Sequence, residues 1–407
     1  MKRVALLCVG LAVGAASVAE AQLTMQMSNG WSFTFSGNVN AFAIYESTSD
    51  EGGTLGAPGG LIGIGGKGFN VRTGLLPAFA VFDAKGKEGN TDLGVHFGFA
   101  PQIQCGGQAH DCFGAQIDMR QVYLTVGGTW GQILAGREIG LFNRQNILTD
   151  QTLFGVGATG GINGGGTTLG RIGFGYIYPN FVAQMTYSTP AGRSTQLSVG
   201  LFQPSALNSD ATTVYSQTEV PRLEAELTLK PGDILLWLNG TAQNAKNDLI
   251  DETKTAVGAG GGFRFGKTSF SLTGSGYYGK GIGTTLQFNG VGACDPADGC
   301  GVLNGLGVGS DGELRNSYGF IGQLTFTPSD SKLTVAASYG SSFLESTDGE
   351  PTAFKTENTL ISGGIYYQAT KSLKVVGEGN YAWTKEHESG ADENKTFAPA
   401  FGLMLFF

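Results

Sequence analysis

Strict alternation of apolar and polar residues recurs along this chain over long distances. From Trp31 to Ala41 the odd positions hold aromatic, aliphatic or glycine residues, and the even positions hold Ser, Thr or Asn. This run is longer than the usual globular strand of about 5–6 residues and matches the roughly 9–11 residues that a tilted strand needs to cross a bilayer. The pattern predicts a membrane-spanning strand whose odd residues face lipid.

Similar runs continue to the C-terminus, and short turns between them alternate with longer polar loops. The further predicted strands are Phe69–Asp83, Leu93–Phe99, Arg120–Val126, Gln132–Gly136, Phe181–Thr189, Gln196–Phe202, Arg222–Leu229, Ile234–Asn239, Val257–Phe265, Phe270–Tyr278, Tyr318–Phe326, Leu333–Tyr339, Thr359–Tyr367, Leu373–Trp383 and Phe397–Phe407. Alternating connection lengths are typical of transmembrane barrels. We therefore predict an all-β, transmembrane antiparallel β-barrel of about 16 strands, five before a long loop at Glu138–Gly170 and eleven after it.

The N-terminus has the pattern of a secretory signal peptide. Lys2 and Arg3 precede an apolar run, Val4–Val18, that ends in Ala19-Glu20-Ala21. A basic start, a short apolar segment and an A-x-A site are the three parts of such a peptide. We expect residues 1–21 to be removed and residues 22–407 to form the barrel.

Composition excludes several other classes of protein. Glycine supplies 68 of 407 residues and charged residues only 14%, which is unusual for a soluble domain. The sequence contains no run of about 20 apolar residues after the signal peptide, so we predict no transmembrane helix. Without residues 1–21 the chain has 23 basic and 32 acidic residues, a net charge of −9, which argues against nucleic acid as a partner.

A hairpin followed by a long loop carries a family resemblance. The segment R-x-V-Y-L-x-V-G-G-x-W-G-x-x-x-x-G-R, from Arg120 to Arg137, resembles the strand 4, turn, strand 5 signature of the trimeric general porins of Gram-negative outer membranes. The resemblance implies that the following loop, loop 3, folds into the lumen and narrows the pore. It also implies a homotrimer in the bacterial outer membrane that lets small hydrophilic solutes and ions diffuse passively through a water-filled channel.

The candidate pore constriction combines arginines of the wall with acidic residues of the loop. If the odd residues of the second strand face lipid, Arg72 at an even position points into the lumen. The resemblance places Arg120 and Arg137 there too. Glu138 and Asp150 are expected to face them from the loop. Opposed charges would create a transverse field across a narrow, low-dielectric passage. The alternative is that these arginines tie the loop to the wall through ion pairs, and the two roles are compatible.

Four cysteines of the predicted mature chain form two close pairs in Gly/Asp-rich loops, Cys105 with Cys112 and Cys294 with Cys300. Proximity in an oxidising compartment favours these two local disulfides among the three possible pairings. A zinc site is the less favoured alternative, because the spacings are wider than those of zinc knuckles.

The last strand carries an expected assembly signal. Phe401, Leu403, Leu405 and the terminal Phe407 share one face, and this ending resembles the assembly signal of outer-membrane barrels. We therefore expect the barrel-assembly machinery and outer-membrane lipids as partners.

Other functions find less support in the sequence. His96, His110 and His387 are scattered, so spacing suggests neither a metal site nor a catalytic constellation, and we predict no enzyme activity and no cofactor. The alternatives are a substrate-selective channel for a sugar, phosphate or carboxylate, a barrel enzyme such as a lipase, and a surface β-solenoid. A solenoid would require a fixed internal repeat, which the varying strand spacing does not show.

Overall fold

The computed structural model describes residues 23–49, 58–63, 65–104, 117–161, 166–208, 214–267, 269–287, 307–388, 390 and 392–407. The predicted signal peptide and the four cysteines of the two predicted disulfides lie outside these residues. The described residues form twenty strands: β1 Leu23–Gln26, β2 Ser32–Thr48, β3 Gly66–Arg72, β4 Phe79–Glu88, β5 Thr91–Pro101, β6 Ile117–Gly128, β7 Gly131–Ile139, β8 Phe181–Ser188, β9 Thr195–Phe202, β10 Leu207–Asn208, β11 Val214–Tyr215, β12 Arg222–Leu229, β13 Ile234–Asn247, β14 Glu252–Lys267, β15 Phe270–Lys280, β16 Asn316–Phe326, β17 Leu333–Glu345, β18 Lys355–Gln368, β19 Leu373–Glu386 and β20 Asn394–Phe406.

Antiparallel pairing closes the sheet into a barrel. Strand β2 pairs with β20 on one side and with both β3 and β4 on the other. Because β3 and β4 follow one another along the same edge of β2, they form a single interrupted wall strand. The barrel therefore has sixteen antiparallel strands, five before the long loop and eleven after it. The predicted fold class and strand count are confirmed.

Alternation of side chains across the wall follows the sequence pattern. In β2, Val39 and Tyr45 are 55% and 42% exposed, whereas Asn38 and Asn40 are buried on the inner side. Successive side chains of a strand point to opposite faces, so odd residues of β2 face lipid, as predicted. In β20, Phe401 is likewise exposed on the outer face.

The wall strand predicted at Phe69–Asp83 is interrupted between β3 and β4. The main-chain N–H of Leu75 donates to the oxygen of Gly155 in the long loop, at 3.1 Å. A Cβ atom on Gly74 would lie 2.2 Å from the same oxygen. Proline at position 77 cannot donate to a sheet ladder. The segment 73–78 thus leaves the wall and pairs with the loop instead of with a neighbouring strand.

Helical structure in the described residues is confined to the long loop. It consists of α1, Arg144–Thr149, and a 3₁₀ turn, Gln151–Phe154. Among the described residues, none of the helices has the length and hydropathy needed to span a membrane.

Candidate pore constriction

Loop 140–180 is hydrogen bonded to side chains that point into the barrel. Glu224 of β12 accepts hydrogen bonds from the N–H groups of Leu141 and Phe142, at 2.7 and 3.0 Å. On the other side of the lumen, Glu378 of β19 accepts from Val156 and Gly157, at 3.1 and 2.7 Å. Carboxylates that accept from main-chain N–H groups form strong, charge-assisted hydrogen bonds. The loop is therefore fixed to two well-separated parts of the wall.

Further bonds attach the same loop to the intervening strands. The indole N–H of Trp237 in β13 donates to Asn146 at 2.8 Å. Gln323 of β16 accepts from the N–H of Gln151 at 2.7 Å. Arg171 donates to the main-chain oxygen of Leu360 in β18 at 2.9 Å and also to the Ser338 hydroxyl in β17. These contacts hold the loop along β12, β13 and β16–β19.

Apolar side chains of the loop and the wall pack together inside the barrel. The cluster joins residues of the loop to inward residues of β2, β19 and β20, and includes Phe42, Ile44, Ile147, Leu153, Val156, Tyr176, Val376 and Met404. Their burial removes apolar surface from water and so stabilises the loop in the lumen. At the level of the loop, this side of the lumen is packed with side chains.

Asp150 was expected to face the arginines of the wall, but it lies buried inside the loop. Its carboxylate accepts from the N–H and hydroxyl of Thr152, at 2.9 and 2.6 Å, and from the Tyr176 hydroxyl at 2.9 Å. Arg171 Nε is 3.9 Å from the same carboxylate. Because the returning segment of the loop covers Asp150, this residue is a buried anchor of the loop conformation.

Arg72 points inward, and its contacts match the anchoring role that the sequence left open. Its guanidinium donates to the main-chain oxygens of Gly166, Thr159 and Thr167, at 3.1, 3.2 and 2.5 Å. The partners in these bonds are carbonyl groups and not carboxylates. Arg72 thus ties the Gly-rich part of the loop to the wall at β3.

Arg137 and Glu138 lie on opposite faces of β7, so the expectation that both line the lumen needs correction. Consecutive residues of a strand cannot share a face. Glu138 points inward and is buried, with Gln121 donating to it at 2.9 Å and the N–H of Ile139 at 2.7 Å. Arg137 is exposed on the outer side, opposite Val122.

Arg120 occupies an irregular position in the wall. The register between β5 and β6 shifts at Gly98/Phe99, and Arg120 is the extra residue of this bulge. Bulges re-aim side chains. The Arg120 Nε donates to Asp118 at 2.8 Å, and Nη1 is 3.5 Å from the Tyr178 hydroxyl of the loop.

Beside this contact, a cavity lies between the wall at Arg120 and the loop. This cavity of about 310 Å³ is lined by wall residues such as Phe99, Arg120 and Gln121 and by loop residues such as Leu148, Leu169 and Tyr178. The Arg120 side chain is 18% exposed. Of the three sequence-predicted arginines, Arg120 is therefore the one that lines a cavity between the wall and the loop.

Several charged residues of the site were not assigned from the sequence. Arg144 in α1 donates to Glu226 of β12 at 2.5 Å, and Glu224 and Glu378 hold the loop as described. The inward facing of Glu224 and Glu226 could have been read from their alternation with Leu223, Ala225 and Leu227. The partner Arg144 could not, because its position depends on the path of the loop.

Comparisons with known proteins agree with this architecture. Residues 5–387 match the family described as Gram-negative porin. The fold resembles the outer-membrane channel DcaP of Acinetobacter baumannii (18% identity, 94% of this chain and 99% of that chain, TM-score 0.64) and OmpF of Salmonella typhi in complex with daunomycin (12%, 94% and 100%, 0.58). It also resembles OmpT of Vibrio cholerae in its trimer form (13%, 93% and 100%, 0.53). A search of curated protein sequences gives no match.

A closed barrel of sixteen strands with a loop held inside it defines a channel-forming protein of the bacterial outer membrane. The chain belongs to the Gram-negative porin family, as its sequence resemblance indicated. It is an outer-membrane channel for the passive diffusion of small solutes.

Proposed function

We propose that solutes cross the barrel through the cavity between Arg120 and loop 140–180, and that this cavity is the constriction of the pore. The observation that carries the proposal is the free volume of about 310 Å³ beside β4–β6, whereas the loop is bonded to the wall along β12, β13 and β16–β19. Hydrophilic solutes and ions would pass beside β4–β6, where the described residues of the loop and the wall leave this cavity.

Arg120 and Asp118 are proposed to set the ion preference of this passage. They form an ion pair at 2.8 Å, and their side chains are 18% and 42% exposed. Because the pair is nearly neutral as a unit, removing one partner leaves the other as a fixed charge at the narrowest point. A fixed charge favours mobile ions of the opposite sign.

Zero-current potentials in a salt gradient test this proposal. Arg120→Ala should shift permeability toward cations, and Asp118→Asn should shift it toward anions. Both shifts should shrink in concentrated salt, because the Debye length falls to about 3 Å at 1 M. Asp150→Asn is the control, since Asp150 is buried within the loop and should not change the sign of selectivity. Unchanged potentials in both pair variants would show that the passage lies elsewhere.

A second candidate function is a channel that prefers amphiphilic solutes. Much of the cavity lining is apolar, with Leu76, Phe99, Ile139, Leu148 and Phe181 among its residues, and an apolar lining with a few polar groups is characteristic of ligand sites. This alternative predicts that an aromatic carboxylate blocks ion current at concentrations at which acetate does not. Equal behaviour of the two anions would leave non-selective diffusion as the function.

We also propose a homotrimer, exported through cleavage of residues 1–21 and inserted into outer-membrane lipids by the barrel-assembly machinery. The trimer form of V. cholerae OmpT and the sequence signature of general porins support the assembly state. The channel function requires no catalytic residue and no cofactor.

A further inference from the structure

A second segment of the chain, besides loop 140–180, lies inside the barrel. Residues 281–287, here called arm 281–287, directly follow β15 and are hydrogen bonded to inward residues of β12 and β13. Strand β15 begins after a short turn and ends at the long connection 281–315. Long connections lie on the extracellular side of such barrels. The arm therefore enters the lumen from the outside.

Arm 281–287 is joined to loop 140–180 through main-chain atoms. The N–H of Tyr178 donates to the oxygen of Thr285 at 2.8 Å, and Tyr178 forms a parallel β-bridge with Leu286. A Cβ atom on Gly173 would lie 2.9 Å from Cγ2 of Thr285, so glycine at this position allows the close approach of the two segments. Loop and arm thus pack as one unit.

The carboxylate of Glu224 holds both segments. One of its oxygens accepts from the N–H groups of Leu141 and Phe142, as described above, and the other accepts from the side-chain amide of Gln287 at 3.1 Å. The same amide donates to the Thr241 hydroxyl at 2.6 Å. Gln287 is only 5% exposed. Because these hydrogen bonds are shielded from water, they fix the position of the arm against β12 and β13.

The other end of the arm is anchored by apolar packing. Ile282 is fully buried in a cluster that includes Phe142 and Ile177 of the loop and Ala256 and Tyr277 of the wall. Burial of this apolar surface stabilises the arm in the lumen. The arm is therefore held at both ends, by Ile282 and by Gln287.

Leu286 is the residue of the arm that reaches the cavity beside Arg120. The other six residues of arm 281–287 are buried, whereas Leu286 is partly exposed. It lines the cavity together with Arg120 of the wall and Tyr178 of the loop. An aliphatic side chain offers no hydrogen bond to a hydrated solute, so at the edge of a passage it acts through the width that it leaves open.

We propose that arm 281–287 is a second wall of the pore constriction, and that Leu286 limits the size of the solutes that pass Arg120. Loop 140–180 alone would leave this side of the cavity without its aliphatic edge. Gln287 is a positioning residue, because it acts by holding Leu286 in place. The inference rests on the proposed passage through the cavity and names the residue that determines its size selectivity.

Swelling of liposomes that contain the purified protein tests the size limit with two neutral sugars. Leu286→Ala should raise the rate for a trisaccharide, relative to that for a monosaccharide, about twofold, because the passage becomes wider. The ratio of the two rates does not depend on how much protein is inserted. Leu249→Ala is the matched control, since Leu249 is 95% exposed in the turn between β13 and β14 and should keep the wild-type ratio. A wild-type ratio in Leu286→Ala would refute the size limit.

Zero-current potentials in a salt gradient test whether position 286 borders the pore. Leu286→Asp should shift permeability toward cations, and Leu286→Lys should shift it toward anions, because a fixed charge favours mobile ions of the opposite sign. Opposite shifts from one position cannot arise from a general disturbance of the fold. Leu249→Asp and Leu249→Lys should leave the potential unchanged. If the charges at position 286 also left it unchanged, Leu286 would not border the pore.

A double substitution tests the positioning role of Gln287. Gln287→Ala should abolish most of the shift that Leu286→Asp causes, because the released arm carries the charge away from the passage. Thr241→Ser, which keeps the hydroxyl acceptor, should retain the full shift. A full shift in the Gln287→Ala background would contradict the positioning role. Heat-dependent migration on a gel shows whether each variant remains a folded barrel.

Arg120→Ala separates this inference from the passage on which it rests. A shifted potential in Arg120→Ala, with no shift from the charges at position 286, would support the passage and overturn the role of the arm. Shifts from position 286 alone would keep the arm as a wall of the pore and exclude the passage beside Arg120. The absence of a shift at both positions would overturn both proposals.

Discussion

Single carboxylates on the inner wall carry much of the attachment of loop 140–180. Glu378 accepts from the N–H groups of Val156 and Gly157, and Tyr366 donates to it at 3.3 Å. Glu378→Ala would leave two buried N–H groups without an acceptor, at a cost of about 1–3 kcal/mol for each. We expect a loosened loop, seen as a several-fold increase in open-channel current noise in planar bilayers.

The matching substitutions make the role of Glu378 measurable. Glu378→Gln keeps one oxygen acceptor and should give intermediate noise. Glu88→Ala, at the exposed end of β4, should behave as the wild type. A quiet Glu378→Ala channel would mean that the apolar cluster alone holds the loop.

Outside the membrane-spanning strands, Glu350 connects two extracellular loops. It accepts from Arg315 Nε at 3.0 Å and from the N–H groups of Thr347 and Ser310, at 2.9 and 3.3 Å. Burial raises the pKa of Glu350, but these donors outweigh burial and hold the pKa below its ordinary value. A carboxyl with a depressed folded pKa stabilises the fold above its unfolded pKa of about 4.3, and this stabilisation is lost as pH falls through the folded pKa.

The loop contact should therefore be constant near neutral pH and weaken below about pH 4. Hydrogen exchange of the Ser310 and Thr347 amides, corrected for intrinsic rates, measures this. Glu350→Gln should show weaker protection at pH 7 and little pH dependence. Identical pH profiles for the two proteins would contradict the assignment.

At the scale of strands, the alternation of apolar and polar residues predicted which side chains of the regular wall strands face lipid. It failed at the positions where a strand is irregular. The facing of Asn38, Val39 and Phe401 follows from period-two parity, which holds along any regular strand. The bulge at Arg120 and the interruption after Arg72 insert extra residues, so parity could not give the side-chain surroundings there. The outward position of Arg137 follows by parity from the inward position of Glu138, whereas the family resemblance implied a position in the lumen.

The ends of the strands and the contacts inside the loop were harder to predict from the sequence. Strand β13 extends to Asn247, beyond the predicted Asn239, because its upper part needs no apolar outer face once it leaves the lipid. The burial of Asp150 depends on Arg171 and Tyr176, which approach it only after the loop turns back. Such contacts are set by tertiary packing and leave no periodic pattern in the sequence.

The last strand makes a prediction about barrel closure. Phe407 N–H donates to the oxygen of Gly37 at 3.0 Å, the Gly37 N–H donates back at 2.8 Å, and the rings of Phe407 and Phe35 are 5.2 Å apart. Deleting Phe407 removes these two backbone bonds from one end of the seam between β20 and β2, so it should slow insertion and leave protein in the periplasm. Membrane fractionation with a pulse of labelled chain measures the rate.

A side-chain variant separates the two contributions of Phe407. Phe407→Leu keeps the main-chain bonds and an apolar residue, so it should assemble faster than the deletion. If the leucine variant were as slow as the deletion, the aromatic ring would be the assembly signal and seam closure would be secondary. Unchanged outer-membrane levels in both would refute the assembly role.

For the whole molecule, the proposed trimer and the proposed passage make separable predictions. A trimer of identical barrels should give three equal conductance steps in a planar bilayer, because each barrel contains its own passage. Arg120→Ala changes charge beside that passage without altering the outer wall, so its channels should keep three steps while their reversal potential moves toward cation selectivity. Single steps with a shifted potential would exclude the trimer and support the proposed passage beside Arg120. Three steps with an unshifted potential would support the trimer and show that the constriction does not lie beside Arg120.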